Sequence, residues 1–176
     1  MMIGKRGVRI ALCSLALVAV TTTWAPAGQA HAPAPLDCTG RENITYGGLG
    51  LSSAPTSVTV DGVYHCADPA GHRITAQYHT EGTTTATCLL LASNRSREKL
   101  RYADGSTSVI AYRSGPSARL LGVNTAVLDG VVISGRGKGS TARKVIQTLP
   151  ASLPTDCVLA GGIRHTTAFT HLSIHP

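Results

Sequence analysis

The chain of 176 residues carries 16 Lys and Arg against 9 Asp and Glu, and only 4% of it is aromatic. This length allows one domain with a true hydrophobic core, and so few rings leave little to stack on bases or sugars. Abundant Thr, Val and Gly favour strands and turns over helices.

Lys5, Arg6 and Arg9 precede an apolar run from Ile10 to Val20, and no acid occurs before Asp37. That is the pattern of a secretory signal peptide. The run is too short to cross a bilayer, which takes about 20 apolar residues. Cleavage after Ala27 or Ala30 satisfies the small-residue requirement; a cut after Ala32 would place Pro33 beside the scissile bond. Residues 1–30 are thus expected to form a leader helix, 31–36 an extended lead-in, and 37–176 a single β domain. The product is expected to be secreted, with no transmembrane segment in the mature chain. The leader takes with it three basic residues, Cys13 and the only tryptophan, Trp24. What remains is only mildly basic, so charge alone predicts no nucleic-acid partner.

Cys38, Cys66, Cys88 and Cys157 remain. An even count in an exported chain implies two disulfides, with three pairings open. No Cys-x-x-Cys knuckle suggests zinc.

Along the domain, Val58, Val60, Tyr64 and Cys66 alternate with polar residues, the period of a half-buried strand. Residues 67–71 read as a turn, and Ile74, Ala76 and Tyr78 resume the inward parity, followed by Ala86, Cys88 and Leu90. Asp104-Gly105 and Asp129-Gly130 are hairpin-turn signals; the first leaves Tyr102 opposite either Thr107 or Ser106. Residues 140–149 fit a helix capped by Ser140 or a strand, and neighbouring β-branched residues favour the strand. Thr166 to Ile174 closes the domain. Seven to nine short strands predict an all-β antiparallel β-sandwich, immunoglobulin-like or a related Greek key, although the immunoglobulin core tryptophan is missing.

Chemistry is sparse. His65, His72, His79, His165, His171 and His175 are too far apart along their strands to share a metal and are expected to face solvent. The segment GRGKGS (135–140) separates Lys138 from Ser140 by a glycine, so it is not a phosphate-binding P-loop but a basic hairpin tip. No Gly-x-Ser-x-Gly elbow occurs. Glu42, Glu81 and Glu98 lie in polar or turn-like segments that suggest no catalytic pair. No catalytic, cofactor-binding or metal-binding residue is therefore assigned, and no cofactor is expected. Two basic clusters, Arg95, Arg97, Lys99 and Arg101, and Arg136, Lys138, Arg143 and Lys144, are candidate contacts for an anionic polymer.

The order Cys38-Thr-Gly, Tyr46-Gly-Gly-Leu49, Val58-Thr-Val60, Tyr64-His-Cys66, Cys88, Asp104-Gly-Ser-Thr-Ser108 and Cys157-Val-Leu-Ala-Gly161 resembles small secreted β-sandwich proteins of actinobacteria with no assigned function. That resemblance implies an extracellular immunoglobulin-like sandwich and supplies no site residues. The expectation is a non-enzymatic secreted protein that binds an extracellular or cell-envelope partner. The alternative is a secreted protease inhibitor or antimicrobial protein.

Overall fold

A computed structural model describes residues 34–88, 91–113, 117–120, 123–148 and 162–176. The expected leader and Cys157 lie outside the described residues. The described residues form nine strands: β1 (Leu36–Leu49), β2 (Ala54–Ala67), β3 (Arg73–Ala86), β4 (Leu91–Tyr102), β5 (Thr107–Arg113), β6 (Ser117–Leu120), β7 (Val123–Gly135), β8 (Thr141–Thr148) and β9 (Ile163–His175). Each pairs antiparallel with its chain neighbour as far as β5, and β7, β8 and β9 follow the same rule. The short β6 lies along the first residues of β7, while β5 pairs with its second half.

Two long-range ladders decide the architecture. β9 returns to pair with β1 from Leu36↔Ile174 onward, and β5 pairs with β7. The ring β1-β2-β3-β4-β5-β7-β8-β9 therefore closes on itself as an eight-stranded barrel. This corrects the expected sandwich: among the described residues there is one closed sheet, with no Greek-key crossover and no immunoglobulin arrangement. Sandwich and barrel share the same in–out alternation, so periodicity cannot separate them. A barrel goes further by leaving no unpaired edge.

Several local expectations hold. Residues 141–148 form β8 rather than a helix, and the segment 136–140 is the turn that leads into it. The β4–β5 loop is Ala103-Asp104-Gly105, with Gly105 at φ 84° and the Tyr102 amide bonded to the Ser106 carbonyl at 2.9 Å. Tyr102 thus faces Ser106. Asp129-Gly130 is not a turn: both residues sit within β7, where Gly130 pairs with Tyr112. Its dipeptide chemistry suits a hairpin, but the glycine is used there for space.

The same device recurs. Gly40 pairs with Tyr64, Gly62 with Tyr78, and Gly130 with Tyr112. A Cβ at Gly62 would lie 2.5 Å from Tyr78 Cζ, and one at Gly130 would lie 2.8 Å from Tyr112 Cδ1. Glycine on one strand lets the tyrosine ring of the next lie across it, aimed at the barrel axis. Small and large residues must alternate in this way to fill a narrow barrel.

One end of the barrel, where the β2–β3, β4–β5 and β7–β8 turns lie, is filled by apolar side chains. Leu36, Leu100, Ile110, Val132, Leu172 and Ile174 are all buried there in one cluster. Cys38 and Cys66, directly opposite on β1 and β2, are disulfide-bonded beside them. Cys88 is oxidised as well. Outside, the strands present charged and polar side chains such as Arg41, Asn43, Asp61, Gln77, Lys99 and Arg143, all exposed. This is the inverse of a lipid-facing barrel, whose outer band is apolar. No helix among the described residues is long and apolar enough to cross a membrane.

Candidate functional site

The middle of the barrel holds charge. Lys144 on β8 has its ammonium 2.8 Å from Glu42 Oε2 on β1 and 2.6 Å from Glu98 Oε2 on β4. Both carboxylate side chains are 0% exposed and the lysine 2%. Phenols complete the cluster. Tyr78 donates to Glu42 Oε2 at 2.8 Å, Tyr112 to Glu98 Oε1 at 3.2 Å, and Tyr64 more loosely to Glu98 Oε1 at 3.4 Å. Thr80 donates to Glu98 Oε2 at 2.9 Å. The rings of Tyr64 and Tyr78 stack with centroids 4.0 Å apart, and the ammonium sits 4.6 Å from the Tyr78 centroid. Six strands thus converge on one ion.

Energetics follow from burial. Desolvation pushes the Lys144 amine down, but the charges of Glu98 and Glu42 outweigh it and hold the amine well above its ordinary value. It is a protonated ammonium, unable to attack as a nucleophile. Burial, reinforced by Glu98, pushes the Tyr64 and Tyr112 phenols well above theirs. Ordinary values for Tyr and Lys are 10.0 and 10.5. Above them, the folded chain keeps protons that the unfolded chain has released. Stability is therefore intact below about pH 10 and falls as pH rises beyond it, by about 1.4 kcal/mol per pH unit for each such group. Urea midpoints measured across pH 8–12 should show this alkaline loss; an unchanged midpoint would contradict it.

Beyond the cluster, toward the barrel end where β3 leads to β4 and β8 to β9, the interior is not filled. A cavity of about 110 Å³ lies there. Its walls are largely apolar, with Ile44, Val58, Val60, Leu128, Ile146 and Ile163 among them. Lys144, Tyr112 and Thr80 border it where it meets the ionic cluster. Neutral polar groups of Thr84, Ser96, Asn124 and Thr148 interrupt the apolar wall. Asn124 Oδ1 is buried without a hydrogen-bond partner. The whole is an apolar chamber with a polar floor and a few neutral hydrogen-bonding groups, the general form of a small-molecule site.

The candidates from sequence separate into different places. Lys144, expected among surface basic residues, is instead buried at the barrel centre, because its parity is that of Ala142 and Ile146. Arg136 is exposed and bonded to Asp104 at 3.2 Å, and Arg143 lies 3.9 Å from Asp129. Lys138 is in the β7–β8 turn. Arg95, Arg97, Lys99 and Arg101 all point outward from β4. The six histidines read as solvent-facing are exposed. Among the described residues, no three His, Cys, Asp or Glu side chains form a group able to hold a metal. Glu42 and Glu98 escaped the sequence reading, which placed them in polar segments. Their signal was parity: Glu98 keeps step with Ser96, Leu100 and Tyr102, and Glu42 with Cys38 and Ile44.

No protein-family model matches this chain, and no curated protein matches it. The functional reading therefore rests on the barrel and its interior.

Proposed function

We propose that this is an exported, non-enzymatic binding protein that holds a small, mainly apolar molecule inside its barrel. The observation that carries the reading is the interior cavity, apolar on its walls and bounded below by an ionic cluster whose one ammonium is already engaged by two carboxylates. The leader pattern and the oxidised Cys38–Cys66 pair support export, since disulfides persist in oxidising compartments. The partner expected outside the cell is, on this reading, a small molecule.

The chemistry of the ligand follows from the floor. The Lys144 ammonium is engaged by two carboxylates, so an entering carboxylate finds no free counter-charge. An entering amine meets the Lys144 ammonium itself. Either ion would lose its hydration without compensation. A neutral head group needs only the hydroxyl and amide groups of the wall. A ligand with a compact apolar body and one alcohol, ketone or amide function fits best.

Titration calorimetry with cyclohexanol, cyclohexylamine and cyclohexanecarboxylate tests this. The alcohol should bind at least tenfold more tightly than either ion, a difference of about 1.4 kcal/mol or more. Ala126→Phe, which places a ring in the cavity from β7, should abolish that binding. Equal or tighter binding of the carboxylate would refute the ligand class, and an undiminished Ala126→Phe would refute the site.

A further inference from the structure

The outer face of β4 carries a feature that the cavity does not use. Its outward positions 95, 97, 99 and 101 are Arg, Arg, Lys and Arg, all exposed. Alternate residues on a strand lie about 6.6 Å apart, so the four charges form a straight row about 20 Å long. Arg113 on β5, which stands opposite Asp129 on β7, adds a fifth and shares a surface groove with Arg95, Arg97 and Glu81.

The surroundings do little to neutralise the row. On β3 the residues opposite are Thr83, Glu81, His79 and Gln77. On β5 they are Ala111, Val109 and Thr107 for Arg97, Lys99 and Arg101. Glu81 is the one acid among these neighbours, and it bonds His79 at 3.1 Å. Among the described residues, none of the four basic side chains makes an ion pair. The other basic residues from sequence differ: Arg136 and Arg143 have acidic partners, and Lys144 is buried. Four like charges in line repel one another, and an anion relieves that repulsion.

We propose that Arg95, Arg97, Lys99 and Arg101, extended by Arg113, form a docking surface for an extended, flexible, non-nucleic polyanion. The row lies on the convex outside of a barrel, so a single phosphate or sulfate would touch at most two of its charges. A chain bearing regularly repeated oxyanions can satisfy them all. Arginine suits the task because its planar fork pairs with two oxygens at once. No aromatic residue stands at the outward positions of β4, where its one tyrosine, Tyr102, is buried, so bases of a single-stranded nucleic acid would have nothing to stack on. Phosphate, sulfate and carboxylate polymers share the recognised chemistry. The surface would hold the protein on such a polymer independently of what the cavity contains.

Binding of long-chain inorganic polyphosphate, heparin, polygalacturonate and an oligo-dT of equal charge, measured at several salt concentrations, tests the proposal. At least one of the first three should bind with a log–log salt slope on the order of −3, as four to five charge contacts to a flexible polyanion imply. Their ranking identifies the oxyanion. The quadruple variant Arg95→Gln/Arg97→Gln/Lys99→Gln/Arg101→Gln should lose at least 30-fold in affinity while keeping its thermal midpoint and its cyclohexanol binding. The control Arg136→Gln/Lys138→Gln/Arg143→Gln should lose less than fivefold. Equal losses in the two variants would reduce the effect to net charge and overturn the proposal. So would oligo-dT binding more tightly than all three other polymers, or no binding by any of them at low salt.

Discussion

Lys144→Met is expected to lower the free energy of unfolding by about 3–5 kcal/mol, the range for removing one partner of a buried ion pair. Methionine fills a similar volume, so the loss is electrostatic rather than a cavity effect. What disappears is the ammonium that both Glu42 and Glu98 contact within 2.8 Å, together with its seat above the Tyr78 ring. What stays is two carboxylates, both fully buried, with Glu42 Oε1 already lacking any partner. Charge, rather than shape, is then the defect, and removing it should repair much of the loss. The triple variant Lys144→Met/Glu42→Gln/Glu98→Gln should recover at least half of the lost stability, because neutral amides cost far less to bury. Urea denaturation of the single and triple variants measures both effects. A single variant within 1 kcal/mol of the parent, or a triple variant less stable than the single, would contradict the role given to the cluster.

Replacing the Cys38–Cys66 pair by alanines should cost about 3–4 kcal/mol, the loop-entropy value for a link closing 28 residues. The two cysteines are directly opposed on β1 and β2, within the buried apolar cluster at one end of the barrel. Alanine adds no buried polar group, so the loss reports the cross-link. In the folded state, β1 still lies between β2 and β9. The architecture should therefore survive, with an unchanged far-ultraviolet spectrum and a lower urea midpoint. A midpoint equal to that of the oxidised parent would contradict the expected contribution.

Much of this fold was legible strand by strand. The inward parity of Val58, Val60, Tyr64 and Cys66, and of Ile74, Ala76 and Tyr78, is the parity observed. Closure was not legible. It depends on β9 meeting β1 and β5 meeting β7, pairings between distant segments that leave no local mark. Strand length was also hidden. Gly130 looks like a turn in a linear reading, yet it lies mid-strand as Gly62 and Gly82 do, each with a side chain of the next strand against it. Asp129-Gly130 misled for this reason.

The site was hidden by a different habit of reading. Charged residues are taken to be at the surface because isolated burial is so costly. Glu42, Glu98 and Lys144 come from strands far apart in sequence, and only the closed barrel brings them together. Each alone looks solvated; together the two carboxylates share one ammonium. Their inward parity was present in the sequence all along. The row on β4 was visible as a basic cluster, but its straightness and its lack of acidic partners required the register of β3 and β5.

Methyl-labelled protein titrated with cyclohexanol, followed by nuclear magnetic resonance, tests the central claim most directly, because it reports which part of the barrel the ligand enters. Shifts should concentrate at Val58, Val60, Leu128, Ile146 and Ile163, which border the cavity. Leu36, Ile110, Leu172 and Ile174, packed at the opposite end, should stay unmoved. Shifts confined to outward-facing methyls such as those of Val63 and Val131, or no saturable shifts at all, would contradict a ligand-holding barrel.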